Sequence, residues 1–379
     1  MTSPAAAQPS RFQRLLLPAL AFKAVVIGGG YATGRELAEF FLPSGGRGGL
    51  LGMLLATLVW SLVAAVTFLF ARTTHSGDYQ TFFSKLLGRF AVSFEVAYCL
   101  VVVLVLAVFG AAAGAIGQAV FSAPTLAGTL LLMALIVAFV SYGNTAVEQL
   151  FKYVSILLYA TYAVFLLLCL SHFGSRITAG LAQPLLPGEG WISGGLTYAG
   201  YNIIGAVVIL PVARHFTSRR DAVIAGLICG PLAMLPAALF FICMTAYSPD
   251  ISHATLPSDV LLQRLDLPTF HLIFQLMIFA ALLESGTGLV NAISERIAQA
   301  WRVHRRTALP LFARVCITAG LLTAANFLAG RYGLIELIAR GFRALGWIFL
   351  GIYVLPLLTL GIWRLTRADL AGRAAVTAG

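Results

Sequence analysis

The sequence predicts an all-α, polytopic membrane protein with about ten transmembrane helices. Of its 379 residues, 60% are hydrophobic and only 10% are charged, and the mean hydropathy is +0.92. A soluble domain carries roughly 25% charged residues to cover its surface, so this composition excludes an ordinary soluble fold. Apolar runs long enough to cross about 30 Å of hydrocarbon occupy most of the chain, which leaves no room for a separate soluble domain.

Each of these apolar runs is predicted to be a helix, because a backbone exposed to lipid must satisfy its own hydrogen bonds. The alternating pattern of an outer-membrane strand is absent. Two longer connections between the runs, 172–190 and 248–266, contain prolines and are candidates for lids. The ten predicted spans are 15–42, 48–71, 88–121, 125–142, 145–170, 191–216, 222–247, 267–297, 308–328 and 332–362.

Positive charge is distributed unevenly between the two sides of the predicted bundle. Sixteen of the 25 Lys and Arg residues fall in one set of connections and only four in the other. The positive-inside rule therefore places both termini in the cytoplasm, and the net charge of +11 is explained by topology rather than by nucleic-acid binding. The predicted organisation is a cytoplasmic N-terminal tail (1–14), a first five-helix repeat (15–171), an outer connection (172–190), a second five-helix repeat (191–365) and a cytoplasmic C-terminal tail (366–379).

Neither a metal site nor an enzyme active site is predicted. All five cysteines lie in apolar stretches without C-x-x-C spacing, and no two of the six histidines have the spacing of metal ligands. The H-E-x-x-H motif and the G-x-S-x-G elbow are both absent from the sequence. We read no removable signal peptide at the N-terminus. No cofactor is expected apart from a coupling ion, Na⁺ or H⁺.

A glycine-rich stretch interrupts the first predicted span. Each glycine inside a helix costs roughly 1 kcal/mol relative to alanine, so three in succession predict an unwound segment at mid-depth. Irregular backbone is tolerated in a membrane only where it is packed in protein or lines a wet cavity, which makes the break a candidate site. The alternative is close helix packing through Gly30 and Gly34. The predicted break comprises Gly28, Gly29, Gly30, Tyr31, Ala32, Thr33 and Gly34.

A second break is predicted five spans later. If the ten helices form two repeats of five, the first and sixth spans are equivalent and the second repeat runs in the opposite direction. No residue-level repeat is visible, so the symmetry follows only from the helix count and the matching breaks. The residues that mark the second break are Gly194, Gly195, Tyr198, Gly200, Tyr201, Asn202, Gly205 and Pro211.

The eighth predicted span carries a polar stripe. Glu284, Thr287, Asn291 and Glu295 recur at helical spacing along one face. A charged carboxylate costs several kcal/mol against lipid, so Glu284 should face a cavity, a cation or another helix, or bind a proton. Two interpretations are open: Glu284 holds the first span by hydrogen bonding, or it takes part in ion or proton coupling.

Other intramembrane charges have similar double interpretations. Arg35 with Glu39, and Glu336 with Arg340, are spaced to neutralise each other across one helical turn. Alternatively, an outer gate over the substrate is formed by Arg35, Glu36 and Glu39, with Arg340 or Arg343 as their partner. Lys23 and Lys152 either replace a bound sodium ion or extend to the inner membrane surface.

Two motifs make the sequence similar to a known family. The run VIGGGYATGRELAEFF (26–41) resembles the glycine-rich first span of the YkvI family of bacterial membrane proteins, and LESGTGLVNAISER (283–296) resembles that family's eighth helix. The likeness extends over nearly the whole chain. It implies membership in the amino acid-polyamine-organocation superfamily, with a LeuT-like fold of two inverted five-helix repeats and discontinuous helices one and six.

The resemblance also implies where ligands bind. Substrate would contact the first break, Gly28 to Thr33, together with Tyr198, Tyr201 and Asn202. A coupling ion would lie beside Glu284, Ser285 and Thr287, with Asn291 on the same helix face. We therefore expect a secondary transporter of a small polar solute, most simply an amino acid or related zwitterion, working by alternating access.

The protein is expected in the bacterial cytoplasmic (inner) membrane, as a monomer or weak homodimer that binds a small-molecule substrate and no nucleic acid. A channel, or a receptor or scaffold that has lost transport, is the alternative function.

Overall fold

The computed structural model describes residues 9–142, 144–183, 190–305, 307 and 310–367, and these residues form an all-helical protein. No strand occurs among them. The helices are α1 (Leu17–Val26), α2 (Gly29–Ala32), α3 (Arg35–Phe40), α4 (Gly45–Thr73), α5 (Tyr79–Leu87), α6 (Ala91–Phe121), α7 (Thr125–Tyr142), α8 (Asn144–Ala182), α9 (Trp191–Asn202), α10 (Gly205–Val208), α11 (Arg219–Met244), α12 (Ser248–Ser252), α13 (Pro257–Leu265), α14 (Pro268–Arg305), α15 (Leu311–Glu336) and α16 (Arg343–Phe349).

Six helical ranges among the described residues are long and apolar enough to cross a membrane, which identifies a multi-pass membrane protein. A shorter apolar helix, Thr125–Ser141, lies between two of them. The predicted fold class is confirmed, whereas the count of ten spans stays a prediction. The six ranges are Arg35–Thr73, Tyr79–Phe121, Ile156–Ala182, Arg219–Ser252, Pro268–Ala298 and Phe312–Arg367.

The last of these ranges contains a sharp interruption. Gly333 has φ 70° and ψ 173°, a conformation that interrupts α15 and that glycine adopts without steric cost. The interruption falls at the predicted boundary between the ninth and tenth spans. Beyond it the chain stays helical to Arg367, with π-helical turns on both sides of α16.

Both predicted outer connections contain more helix than the sequence suggested. The helix α8 continues to Ala182, well into the predicted connection 172–190. In the other connection, residues 248–266, α12 and α13 form two short helices. We call residues 248–266 the outer segment, after the side of the membrane on which the sequence predicts it.

Close packing without side chains holds the second and seventh spans together. A Cβ atom on Gly226 of α11 would lie 2.3 Å from the backbone of Ala65 in α4. One turn further along, the Ser61 hydroxyl donates to the Leu227 carbonyl at 3.0 Å. Small residues at such contacts let helix backbones approach in a membrane, where apolar burial alone drives little association.

Candidate functional site

The first span is discontinuous, as predicted, but two interruptions flank a single helical turn. The first helix ends at Val26, and Ile27 leaves the helical region with ψ 74°. The turn α2 follows, and Gly34 then adopts a left-handed φ of 80° before α3 begins. A helix end leaves its last carbonyl groups without intrahelical partners, so the C-terminal end of α1 presents partial negative charge at the break.

The second interruption of the first span is held by the outer segment. The backbone N–H of Ser258, in α13, donates to the Thr33 carbonyl at 3.0 Å. Close to it, a Cβ atom on Gly34 would lie 2.8 Å from the Phe240 ring. The outer segment therefore closes directly onto the break, a contact between residues more than 200 positions apart that sequence spacing does not reveal.

The sixth span is interrupted later than the glycines suggested. The helix α9 is continuous through Gly194, Gly195 and Gly200, and the interruption falls at Ile203 and Ile204, directly after Asn202. Both isoleucines keep near-helical dihedral angles, so this break is shallower than the one in the first span.

The three glycines of α9 instead make close packing contacts. A Cβ atom on Gly194 would lie 2.1 Å from the carbonyl oxygen of Phe40, which places α9 directly against α3. Gly195 and Gly200 lie equally close to the backbones of Gly52 and Gly346. The outer half of the sixth span thus packs against the first, second and last spans.

Aromatic side chains fill the space between the outer halves of the first and sixth spans. The Tyr198 ring packs 5.0 Å from that of Phe41, 5.4 Å from that of Trp60 and 5.7 Å from that of Tyr201, centroid to centroid. The Trp60 indole N–H donates to the Ala199 carbonyl at 3.1 Å. Asn202 turns its amide back to the Tyr198 carbonyl at 3.1 Å.

Three buried phenols at this depth have unsatisfied hydroxyl groups. Tyr31, Tyr162 and Tyr198 are at most 7% exposed, and among the described residues none of their hydroxyls has a partner in good hydrogen-bond geometry, although the hydroxyls of Tyr31 and Tyr162 interact with each other. An unpaired buried hydroxyl costs about 1–3 kcal/mol, so these groups call for a physical explanation. Tyr162, in α8, was not predicted from the sequence. Its ring lies 6.0 Å from that of Tyr31.

The eighth span, α14, reaches the first break. A Cβ atom on Gly28 would lie 3.4 Å from the Ser285 hydroxyl oxygen, so Ser285 is adjacent to the break, as the resemblance implied. Thr287 is 0% exposed and its hydroxyl is unbonded, whereas Glu284 and Asn291 are half-buried. An ion or proton site at these residues stays a prediction.

The structure also shows the contacts of Lys23, in the first span, and of Glu295, the last residue of the predicted stripe. The Lys23 ammonium lies 4.2 Å from the centroid of the Tyr159 ring, which is itself within electrostatic range of Glu284. Glu295 belongs elsewhere, because its carboxylate pairs with Arg314 at 2.6 Å and with Arg302 at 3.4 Å. The side chain of Lys152 lies outside the described residues.

The predicted gate residues form two separate contacts. Arg35 pairs with Glu39 at 2.7 Å and donates to the carbonyls of Ser252 and Ala254 in the outer segment, at 2.8 and 3.0 Å. Glu36 does not join this network. Its carboxylate accepts a hydrogen bond from the Tyr201 hydroxyl.

Of the two gate partners proposed from the sequence, Arg340 pairs with Glu336 at 2.7 Å and is 82% exposed. Arg343 faces Glu39 instead, at 3.8 Å. A cavity of about 200 Å³ lies at this point on the predicted outer side, lined by Glu39, Phe40, Pro43, Ser44, Gly190, Ser193, Gly194 and Arg343.

A polar cluster that the sequence did not predict anchors the outer segment to the eighth span. Asp259 is 8% exposed, and its carboxylate accepts hydrogen bonds from His271 and Gln263, both at 2.6 Å, and from Gln275 at 2.7 Å. These partners come from α13 and the start of α14. The outer segment is therefore fastened at three places: the Thr33 carbonyl, Arg35 and the eighth span.

By sequence, the chain matches no protein-family profile and no curated protein. By structure, it is similar to MhsT in complex with L-phenylalanine, with a TM-score of 0.58 at 17% identity, covering 96% of this chain and 99% of that one. It is also similar to a substrate-bound, outward-open Na⁺-coupled sialic acid symporter, with a TM-score of 0.60 at 12% identity over 89% and 78% of the two chains. Inward-facing Mhp1 gives a TM-score of 0.59 at 14% identity, over 94% and 80%.

A manganese transporter mutant from Eremococcus coleocola gives a TM-score of 0.57 at 14% identity, covering 94% of this chain and 81% of that one. Identities this low show the fold alone, and membership in the YkvI family and its superfamily stays a prediction. The interrupted first and sixth spans, together with these similarities over most of each chain, show that this protein has the LeuT-like transporter fold.

Proposed function

We propose that the protein is a secondary transporter that carries a small zwitterion, most simply an amino acid, by alternating access coupled to H⁺ or Na⁺. The observation that carries the proposal is the convergence of the first break with the buried phenols of Tyr162 in α8 and Tyr198 in α9 and with the Ser285 hydroxyl of α14. Membrane proteins place irregular backbone only where it is enclosed or lines a cavity, and transporters bind their substrates there.

The chemistry around the break suits a zwitterion. The carbonyl groups at the end of α1 carry partial negative charge and accept hydrogen bonds from an ammonium group. The hydroxyls of Tyr31 and Tyr198 are buried donors suited to a carboxylate. Structural neighbours described as binding L-phenylalanine and as a sialic acid symporter support the choice of solute class without determining it.

Coupling is assigned to the region between the first, fifth and eighth spans. Ser285 supplies a hydroxyl oxygen beside the break and Thr287 adds a buried hydroxyl in the same helix, which are ligand types that a sodium site uses, while Glu284 and Lys23 are titratable groups suited to proton coupling. We favour protons. We further propose that both termini are cytoplasmic, in a bacterial inner membrane, and that the protein is a monomer or weak homodimer without enzymatic activity.

Two experiments test this proposal. The first is a thermal-shift screen of the purified protein against amino acids, polyamines and organic acids, with and without sodium, because a ligand that binds only the native state raises its melting temperature. A set of hits consisting only of anions would contradict the zwitterion assignment.

The second experiment is uptake of the identified ligand into proteoliposomes driven by a proton or a sodium gradient alone. Glu284→Gln should keep the fold and abolish uptake driven by the proton gradient. Glu295→Gln is the matched control, since Glu295 is on the same face of α14 but pairs with Arg314. Uptake by Glu284→Gln at the wild-type rate, with either gradient, would refute the role of Glu284.

A further inference from the structure

Glu36 is a buried acid that has no cationic partner in the part of the chain that the structure describes. Its side chain lies in α3, only 6% exposed, and accepts a hydrogen bond from the Tyr201 hydroxyl. Its neighbour Arg35 is committed to Glu39 and to two carbonyls of the outer segment. Among the described residues, Glu36 forms no ion pair.

Charged groups on the elements packed around Glu36 are also committed elsewhere. In the last span, Glu336 pairs with Arg340, and Arg343 faces Glu39. In the outer segment, Asp250 pairs with Arg264, Asp259 binds His271, and His253 is exposed. In α11, Asp221 is hydrogen-bonded to Thr217 and Ser218 at the opposite end of the helix from Phe240, and Cys229 and Cys243 are free cysteines. The groups that face Glu36 are therefore the phenols of Tyr31, Tyr198 and Tyr201.

An ionised carboxylate in such surroundings is expensive. Removing a charge from water without a compensating cation costs several kcal/mol, and one phenol hydrogen bond to a charged group offsets only about 1.5–3 kcal/mol. Buried acids respond by binding a proton. As a neutral acid, Glu36 keeps its contact with Tyr201 and carries no uncompensated charge.

Aromatic rings packed against Tyr201, the hydrogen-bond partner of Glu36, extend to the outer cavity. Tyr201 is stacked on Phe342 of the last span, with ring centroids 4.5 Å apart and planes inclined by 27°, and it also packs against Tyr198 at 5.7 Å and Phe40 at 5.9 Å. Phe40 and Arg343, the residue after Phe342, both line the cavity of about 200 Å³. Displacement of the last span would therefore expose Tyr201 and then Glu36 to water.

We propose that Glu36 is a proton-binding site of the outer gate, protonated while Phe40 and Phe342 cover it and ionised when the gate opens. On opening, the carboxyl O–H bond breaks, the proton passes to water and the carboxylate keeps the electron pair. This role rests on the proposed transport function, because it links closure of the outer gate to proton uptake. It is distinct from Glu284, which lies in the eighth span, near Tyr159.

The test does not depend on transport. Infrared spectra of the protein in lipid at neutral pH should contain the C=O stretch of a protonated carboxyl group that Glu36→Gln removes. Glu336→Gln is the matched control, because Glu336 is 45% exposed and paired at the surface. A carboxyl band equally strong in wild type and Glu36→Gln would overturn the proposal.

The covering role of the aromatic rings is tested by hydrogen–deuterium exchange of the same band. After transfer to D₂O, the carboxyl band should shift at least tenfold faster in Phe342→Ala than in the wild-type protein. The same is expected for Phe342→Leu, which keeps more of the packing. An unchanged exchange rate in both variants, with the wild-type melting temperature, would show that Phe342 does not cover the acid. If the wild-type protein shows no uptake but has the carboxyl band that Glu36→Gln removes, the transport function is refuted and the proton site remains.

Discussion

Replacing Arg35 by glutamine should release the outer segment from the first span. The Arg35 side chain is only 4% exposed and makes three contacts: the Ser252 carbonyl at 2.8 Å, the Ala254 carbonyl at 3.0 Å and the Glu39 carboxylate at 2.7 Å. Glutamine is shorter and uncharged, so it cannot reach both carbonyls and the carboxylate. The two carbonyls and Glu39 would each lose a charged donor.

The expected cost follows from the burial of these groups. Breaking a buried ion pair by removing one partner costs about 3–5 kcal/mol. Glu39 is 18% exposed and retains Arg343 at 3.8 Å, which places the expected loss near the lower limit, about 3 kcal/mol. Because about 1.4 kcal/mol corresponds to a factor of ten, local opening of the outer segment should become roughly a hundredfold more frequent.

Hydrogen–deuterium exchange measured by mass spectrometry provides the assay. Peptides covering α12 and α13 should exchange about a hundredfold faster in Arg35→Gln. The control is Arg264→Gln, which removes an ion pair to Asp250 in the same segment whose partners are 53% and 51% exposed, and exposed pairs contribute at most about 1 kcal/mol. Similar exchange in the two variants would refute the argument that burial makes Arg35 the fastener of the segment.

Two further substitutions test the break and the polar cluster by thermal denaturation in detergent. Gly34→Ala should destabilise the protein by at least about 1–2 kcal/mol, because φ is 80° there and the new Cβ would lie 2.8 Å from Phe240. The control, Gly174→Ala, is at a helical position with open space and should be neutral or stabilising. Equal melting temperatures of the two variants would contradict the backbone geometry at Gly34. Asp259→Asn should lower the free energy of unfolding by about 1.5–3 kcal/mol, because it removes charge-assisted hydrogen bonds. The control is Asp266→Asn, an exposed residue of the same segment, which should change the free energy of unfolding by no more than about 0.5 kcal/mol. A small effect at Asp259 would mean that the cluster does not anchor the segment.

Local features of the fold were predictable because their causes are local. A run of glycines weakens a helix wherever it occurs, and the first span is indeed interrupted at Ile27 and Gly34. The pairs Arg35–Glu39 and Glu336–Arg340 follow from one-turn spacing, and both form at 2.7 Å. The position of Ser285 beside Gly28 was available only from the family resemblance, and the structure agrees with it.

Predictions that depended on packing were less accurate. Glycines in the sixth span suggested a break, but the same residues let α9 approach three other helices, and the interruption lies after Asn202. Sequence spacing also did not distinguish Arg340 from Arg343 as the residue facing Glu39. One position around a helix changes the direction of a side chain by about 100°, so the choice depends on how the last span is rotated against its neighbours.

By itself, the sequence determined that the chain is a bundle of membrane helices with a weakened first span, because hydropathy and helix propensity act over a single turn or a single span. Only the tertiary structure decided that Ser258 closes onto Thr33, that Tyr162 joins Tyr31, and that Tyr201 bonds Glu36 and stacks on Phe342. These contacts join residues far apart in the chain, and their partners are selected by the close packing of backbones, which leaves no periodic signal in the order of the amino acids.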